Sequence, residues 1–136
     1  MNSATTIESV MTTFPYAVEH GAGIATARSL MSQFGIHHLP VREGARFIGV
    51  ITARDLTQAD RLGVKLTETT GARAADIATG VVVEAAPADL LTGVLRRMAA
   101  QHADAAVVLR EGELAGIFTA TDACRRFAES LEAKKA

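Results

Sequence analysis

A chain of 136 residues has the length of one domain. At 49% hydrophobic it has the composition of a folded one, which excludes a disordered segment. A net charge of −1 excludes the basic footprint that nucleic acid or an anionic membrane selects, and a single cysteine, Cys124, excludes an intramolecular disulfide and is compatible with a reducing compartment.

In chain order, Ile7-Glu8-Ser9-Val10-Met11 reads as a short lead helix and Tyr16-Ala17-Val18 as a short strand. Gly21 and Gly23 form a turn. Ile24, Ala27, Leu30, Met31 and Phe34 then recur at helical spacing, and Gly35 stops that helix. His38-Leu39-Pro40-Val41 and Phe47-Ile48-Gly49-Val50-Ile51 are two apolar runs joined by the polar turn Glu43-Gly44-Ala45-Arg46. A second helix runs from Thr52 to about Leu62, and Leu62 to Ala72 is a polar connector.

The same order then returns. Ala74-Ala75-Asp76-Ile77 is a lead helix, Val81-Val82-Val83 a strand, and Leu91, Val94, Leu95 and Met98 a helical stripe. Ala106-Val107-Val108-Leu109 and Leu114-Ala115-Gly116-Ile117-Phe118 flank the turn Arg110-Glu111-Gly112-Glu113. A last helix carries Ala123, Phe127 and Leu131, and its end, Glu132-Ala133-Lys134-Lys135, is a solvated tail with cations at the negative end of the helix dipole. No apolar run approaches the roughly 20 residues that span a bilayer. Met1 to Met11 lacks a basic segment followed by an apolar one, so no secretory signal is expected. The chain reads as soluble and cytoplasmic.

The return is residue by residue. Gly49-Val-Ile-Thr-Ala-Arg-Asp55 matches Gly116-Ile-Phe-Thr-Ala-Thr-Asp122, and at the same offset Met31 matches Met98 and Val41 matches Val108. The fold class expected is therefore α/β (α+β): residues 1–136 form one module of two βαββα repeats, 7–62 and 73–133. One repeat cannot bury its apolar sheet face alone, so the two are expected to pack sheet to sheet with pseudo-two-fold symmetry.

Each repeat places Thr, two residues and Asp at a strand-to-helix junction: Thr52 with Asp55, and Thr119 with Asp122. One reading is a capping box worth about 1 kcal/mol. The other is a ligand site, in which the carboxylate accepts from vicinal ribose hydroxyls and the hydroxyl and helix N–H groups meet phosphate. Gly49 and Gly116, each just upstream of its Thr, favour the second, because a missing side chain near a strand end marks the approach of another group.

These residues resemble a CBS-domain pair, or Bateman module: the Leu39-Pro40-Val41 strand, the hairpin turn after it, and the Gly-h-h-Thr-x-x-Asp end of each repeat. The resemblance covers about residues 7–131. It implies a regulatory module that binds adenosyl nucleotides (the AMP/ADP/ATP, NAD or S-adenosylmethionine class) in clefts between the repeats. Asp55 and Asp122 would hold ribose, and Thr52 and Thr119 phosphate. Thr12 and Ala17 would face the Thr119/Asp122 site, and Ile77 and Val82 the Thr52/Asp55 site. His37 and His38 would reach phosphate at the Thr119/Asp122 site, with Asp104 and Ala105 their counterparts at the other. Repeat two departs from the family by reading Ala106-Val107-Val108 in place of Leu-Pro-Val. A phosphate beside an imidazole gains a donor, whereas one beside Asp104 meets a repulsion of order 3–4 kcal/mol at an effective dielectric of about 20. Phosphorylated ligands are thus expected at the Thr119/Asp122 site.

Other signals carry less. His20-Gly21-Ala22-Gly23 has Thr26 at the third glycine position of a dinucleotide fingerprint, and the strand that follows returns by a hairpin. None of the four histidines, His20, His37, His38 and His102, has metal-ligand spacing, so no metal site is expected. Cys124 sits beside Arg125 and Arg126, where a helix cysteine with no chemistry is expected. No nucleophile, base and orienting group stand together, so the chain reads as no enzyme, with no obligatory cofactor. A homodimer is expected through Leu30, Phe34, Met98, Phe127 and Leu131 on the outer helices, with a separate effector protein as the regulated partner. A ligand-free interaction scaffold is the alternative; a nucleotide-processing enzyme is the third reading.

Overall fold

Apolar residues three and four apart make helices here, and continuous apolar runs make the longer strands. The computed structural model describes residues 4–13, 15–61 and 73–134. In chain order the elements are a 3-10 turn at Ile7–Ser9, β1 (Thr12–Thr13), β2 (Val18–Glu19), α1 (Ile24–Phe34), β3 (His38–Glu43), β4 (Arg46–Thr52), α2 (Ala53–Arg61), α3 (Ala74–Ile77), β5 (Val82–Ala85), α4 (Leu91–Gln101), β6 (Ala105–Arg110), β7 (Glu113–Thr119) and α5 (Ala120–Ala133). This is a mixed α+β fold in which β2-α1-β3-β4-α2 recurs as β5-α4-β6-β7-α5. The expected connector, 62–72, and the tail residue Lys135 lie outside the described residues.

Contacts divide the chain into two compact units, Tyr16–Gly80 and a split unit of Met1–Pro15 with Val81–Ala136. In the Tyr16–Gly80 unit, β2 pairs parallel with β3 (Val18 opposite Val41), and β3 antiparallel with β4. Val18, Ile24, Ala27, Met31, Leu39, Val41, Ile51, Leu56 and Ala74 form its core. In the split unit, β5 pairs parallel with β6 (Ala85 opposite Val108), and β6 antiparallel with β7. Its core holds Ile7, Val83, Ala85, Leu91, Val94, Met98, Ala103, Ala106, Val108 and Phe118. The bulge between Val41 and Arg42 in β3 recurs between Val108 and Leu109 in β6, so the repetition reaches irregularities as well as elements.

The lead segments pack away from the repeats they precede in sequence. Ile7 is fully buried in the split unit; its N–H donates to the Asp89 carbonyl at 2.8 Å, and the Leu91 N–H donates to the Thr5 carbonyl at 2.8 Å. Thr12 and Thr13 then pair antiparallel with Ile117 and Gly116 of β7. Ala74, the repeat counterpart of Ile7, is fully buried in the Tyr16–Gly80 unit. Its N–H donates to the Ala22 carbonyl at 2.8 Å, and that of Gly80 to the Val50 carbonyl at 3.0 Å. Each unit therefore acquires a strap of its own from outside its βαββα core.

Helix ends follow local chemistry. Gly35 closes α1 at φ 62°, in the left-handed region that glycine enters without strain. His102, its counterpart in the second repeat, closes α4 at φ 53° and bears the cost of a side chain there. Met98 does not belong to the uncovered helix surface expected from the sequence. It is 5% exposed within the split-unit core, because Leu91, Val94 and Met98 fall on one face of α4 and turn it inward. Leu30 is half-buried against its own core. Phe34 stacks on Tyr16 with ring centroids 3.8 Å apart. Phe127 and Leu131 of α5 are exposed, at 63% and 47%.

Candidate functional site

Thr52 ends β4 and Thr119 ends β7; in both units the helix starts at the next residue. That junction leaves the first helical N–H groups without carbonyl partners inside the helix. The side chains of the motif supply part of what is missing. Thr52 N–H donates to Asp55 Oδ2 at 2.7 Å, and Asp55 N–H to Thr52 Oγ1 at 3.1 Å. Thr119 N–H donates to Asp122 Oδ2 at 2.9 Å, and Asp122 N–H to Thr119 Oγ1 at 3.2 Å. Both motifs are reciprocal capping boxes. The caps use one carboxylate oxygen, Oδ2, and leave Oδ1 for another partner.

That other partner differs between the units. Asp55 Oδ1 accepts from Thr79 Oγ1 at 2.9 Å, a strap residue. Thr79 matches Thr12 at the repeat offset, so the strap threonine is repeated as well. Asp122 Oδ1 instead accepts from Arg125 Nη1 at 3.3 Å, with Arg125 63% and Asp122 25% exposed. Beside this pair lies a cavity of about 210 Å³ lined by Val10, Thr12, Asp122, Arg125, Arg126 and Glu129. All six belong to the split unit.

The two glycines are explained by the straps. A Cβ on Gly116 would meet Met11 Cγ at 2.8 Å, and one on Gly49 would meet the Cβ and carbonyl oxygen of Ala78 at 3.1 Å. Met11 and Ala78 are again repeat counterparts. The group that approaches the backbone is thus the protein's own strap. The glycines no longer count for a ligand over a cap.

Of the residues singled out from sequence, Thr12 shares the cavity wall with Asp122, which Thr119 caps. Val82 lies opposite Ala105, and Ala105 opposite Thr119, so these three form one row across β5, β6 and β7. The Asp104 carbonyl accepts the Ala120 N–H at 2.8 Å. In the other unit, His38 lies opposite Thr52 in the β3–β4 ladder, and the carbonyl of exposed His37 accepts the Ala53 N–H at 3.1 Å. Ile77 packs half-buried on the core of that unit, and Ala17, also half-buried, precedes β2. Sequence reasoning misses Val10, Thr79, Arg125, Arg126 and Glu129. The repeat spacing points to Thr79; nothing in the sequence alone brings Arg126 beside Thr12. Among the described residues, no three His, Cys, Asp or Glu side chains come together as metal ligands would, and no helix is long and apolar enough to cross a membrane.

Residues 7–61 match the family model of the CBS domain. No curated protein sequence matches the chain. Solved structures share its fold. A Vibrio cholerae protein named as a candidate acetoin utilization protein (AcuB) is 23% identical over 96% of this chain and 95% of its own, with a TM-score of 0.81. CBSX2, solved in complex with AMP, is 22% identical over 96% and 98%, with a TM-score of 0.78. The CBS domain pair of protein MJ0100, solved with 5′-methylthioadenosine and S-adenosyl-L-methionine, is 22% identical over 93% and 98%, with a TM-score of 0.74.

Proposed function

We propose, from the match of residues 7–61 to the CBS-domain model and the fold shared with CBS-domain pairs, that this chain is a CBS-domain pair acting as a regulatory module that binds an adenosyl ligand and releases it unchanged. Repeats 7–62 and 73–133 form one module. Asp55 and Asp122 accept from ribose hydroxyls, and Thr52 and Thr119 stand at the helix N-termini where phosphate is favoured. Thr12, Ala17, Ile77 and Val82 contact the base, and His37 and His38 the phosphate. The observation that carries this reading is Asp122, on the wall of a cavity at the start of α5 with Thr12 beside it. The ligands in the structures of CBSX2 and MJ0100 suggest the class: AMP, ADP, ATP, NAD or S-adenosylmethionine.

One observation favours a second reading, a scaffold with empty clefts. Both carboxylates already serve caps, and their other oxygens have partners within the chain. Thermal denaturation with AMP, ATP, NAD and S-adenosylmethionine separates the two. A ligand at 100 times its Kd stabilises by about 2.7 kcal/mol, a rise of several degrees in Tm for a chain of this size. No shift with any of the four leaves the scaffold. Recovery of the bound ligand intact after long incubation is expected; a released product would make the protein an enzyme.

The regulatory output is a change in assembly or in affinity for a cytoplasmic effector. A homodimer through α5 fits the exposed Phe127 and Leu131, one turn apart on a helix with no buried residue. Phe127→Glu with Leu131→Glu should convert a dimer to a monomer at micromolar concentration in light scattering. A monomer already in the unsubstituted protein, with and without ligand, would refute the assembly.

A further inference from the structure

The cavity wall carries charge that ribose recognition does not use. Arg126 lies half-buried on that wall, one helical turn after Asp122 on α5. Among the described residues its side chain makes no hydrogen bond or ion pair. Its neighbour Arg125 is engaged with Asp122. Glu129 also makes no ion pair there. Of four charged side chains on the wall, two are joined and one of each sign is left open. In the first repeat the positions equivalent to Arg125 and Arg126 hold Gln58 and Ala59, and Ala59 is only 5% exposed. The charged wall is therefore a property of one unit and not of the repeat.

At about 210 Å³ the cavity is smaller than the roughly 300–1,000 Å³ of pockets that enclose a whole drug-sized ligand. It suits one end of a nucleotide. Two features favour the anionic end. The N-terminus of α5 presents its positive dipole end, and a guanidinium offers a fixed fork of donors that matches phosphate oxygens. Two carboxylates stand on the other side: Asp122, already paired with Arg125 at 3.3 Å, and Glu129, which lies further along the helix. Resting on the adenosyl-binding reading above, we propose that Arg126 is the residue by which the Thr119/Asp122 site selects a phosphorylated adenosyl ligand over an uncharged one, with Glu129 opposing it.

Calorimetric titration of the full chain with adenosine and with AMP, at one ionic strength, tests this in three proteins: unsubstituted, Arg126→Gln and Glu129→Gln. AMP should bind the unsubstituted protein about tenfold tighter than adenosine, as a charge-assisted contact predicts. Arg126→Gln should bring AMP to the level of adenosine and leave adenosine unchanged. Glu129→Gln should tighten AMP severalfold, again without effect on adenosine. Opposite signs at two positions on one helix separate electrostatic selection from a shared loss of folding. Equal binding of the two ligands by the unsubstituted protein overturns the assignment and leaves the adenosyl reading standing. So does an Arg126→Gln effect equal on both, or AMP weakened by Glu129→Gln. No binding of either ligand overturns both.

Discussion

Replacing Phe118 with alanine should lower stability by about 3–5 kcal/mol, the usual cost of removing a core aromatic ring and leaving its cavity. Phe118 is fully buried in the split-unit core, and its backbone leads directly into Thr119 and the α5 cap. Against the roughly 5–15 kcal/mol that holds a domain of ordinary size together, that loss approaches the whole in a marginal case. Urea or thermal denaturation measures it. Ile51, its counterpart in the first repeat and also fully buried, supplies the control: Ile51→Val removes one methyl group and should cost only about 0.5–1.5 kcal/mol. A Phe118→Ala loss below about 1 kcal/mol would mean that the ring is not a keystone of this core and that its neighbours close the gap.

The correspondence of Ile51 with Phe118 indicates why so much of this fold is legible. A repeat states each local preference twice, so a weak signal in one copy is supported by the other. Helical spacing from Ile24 to Phe34 with a stop at Gly35 predicts α1, and α1 runs over those residues. β3, β4, β6 and β7 follow their apolar runs, because an apolar run and a polar turn are both local properties. β1 is not legible. Thr12 and Thr13 are polar and make a strand only two residues long, and they become a strand through pairing with β7, which no local pattern encodes. The straps are hidden for the same reason. Sequence adjacency assigns Ile7 to the repeat it precedes, while its burial is with Val83, Val94 and Phe118.

The candidate site is legible in its residues and less so in their causes. The two Thr-x-x-Asp motifs stand at the expected strand-to-helix junctions. The glycines before them do mark places of close approach, but the approaching groups are Met11 and Ala78. A close approach leaves one mark in a sequence whether the visitor is a ligand or the chain itself. Arg126 has no such mark at all. Its place beside Thr12 depends on α5 and β1 both meeting β7, a tertiary fact about segments from opposite ends of the chain.

Replacing Asp122 with alanine should have two separable effects. The cap loses the carboxylate that accepts from Thr119 N–H at 2.9 Å, which should cost about 1 kcal/mol of stability. A ribose loses its charged acceptor, which should cost about 1.5–3 kcal/mol of binding, or roughly 10- to 150-fold in Kd. Asp122→Asn divides the two: an amide oxygen still accepts from Thr119 N–H, so most of the cap survives while the charge is gone. The Arg125 contact does not protect the site from this test. It is an exposed pair at 3.3 Å of the kind that contributes about 0–1 kcal/mol, so a ribose hydroxyl displaces it at small cost. Asp55 differs, because Thr79 donates to its free oxygen at 2.9 Å and a ligand hydroxyl has to replace or share that bond. Asp55→Ala should therefore weaken adenosyl binding less than Asp122→Ala, with a similar loss of stability from the cap. Titration of AMP into both single variants and the double variant, each checked for folding by denaturation, decides the matter. If the double variant binds as tightly as the unsubstituted protein, both carboxylates are caps and nothing more.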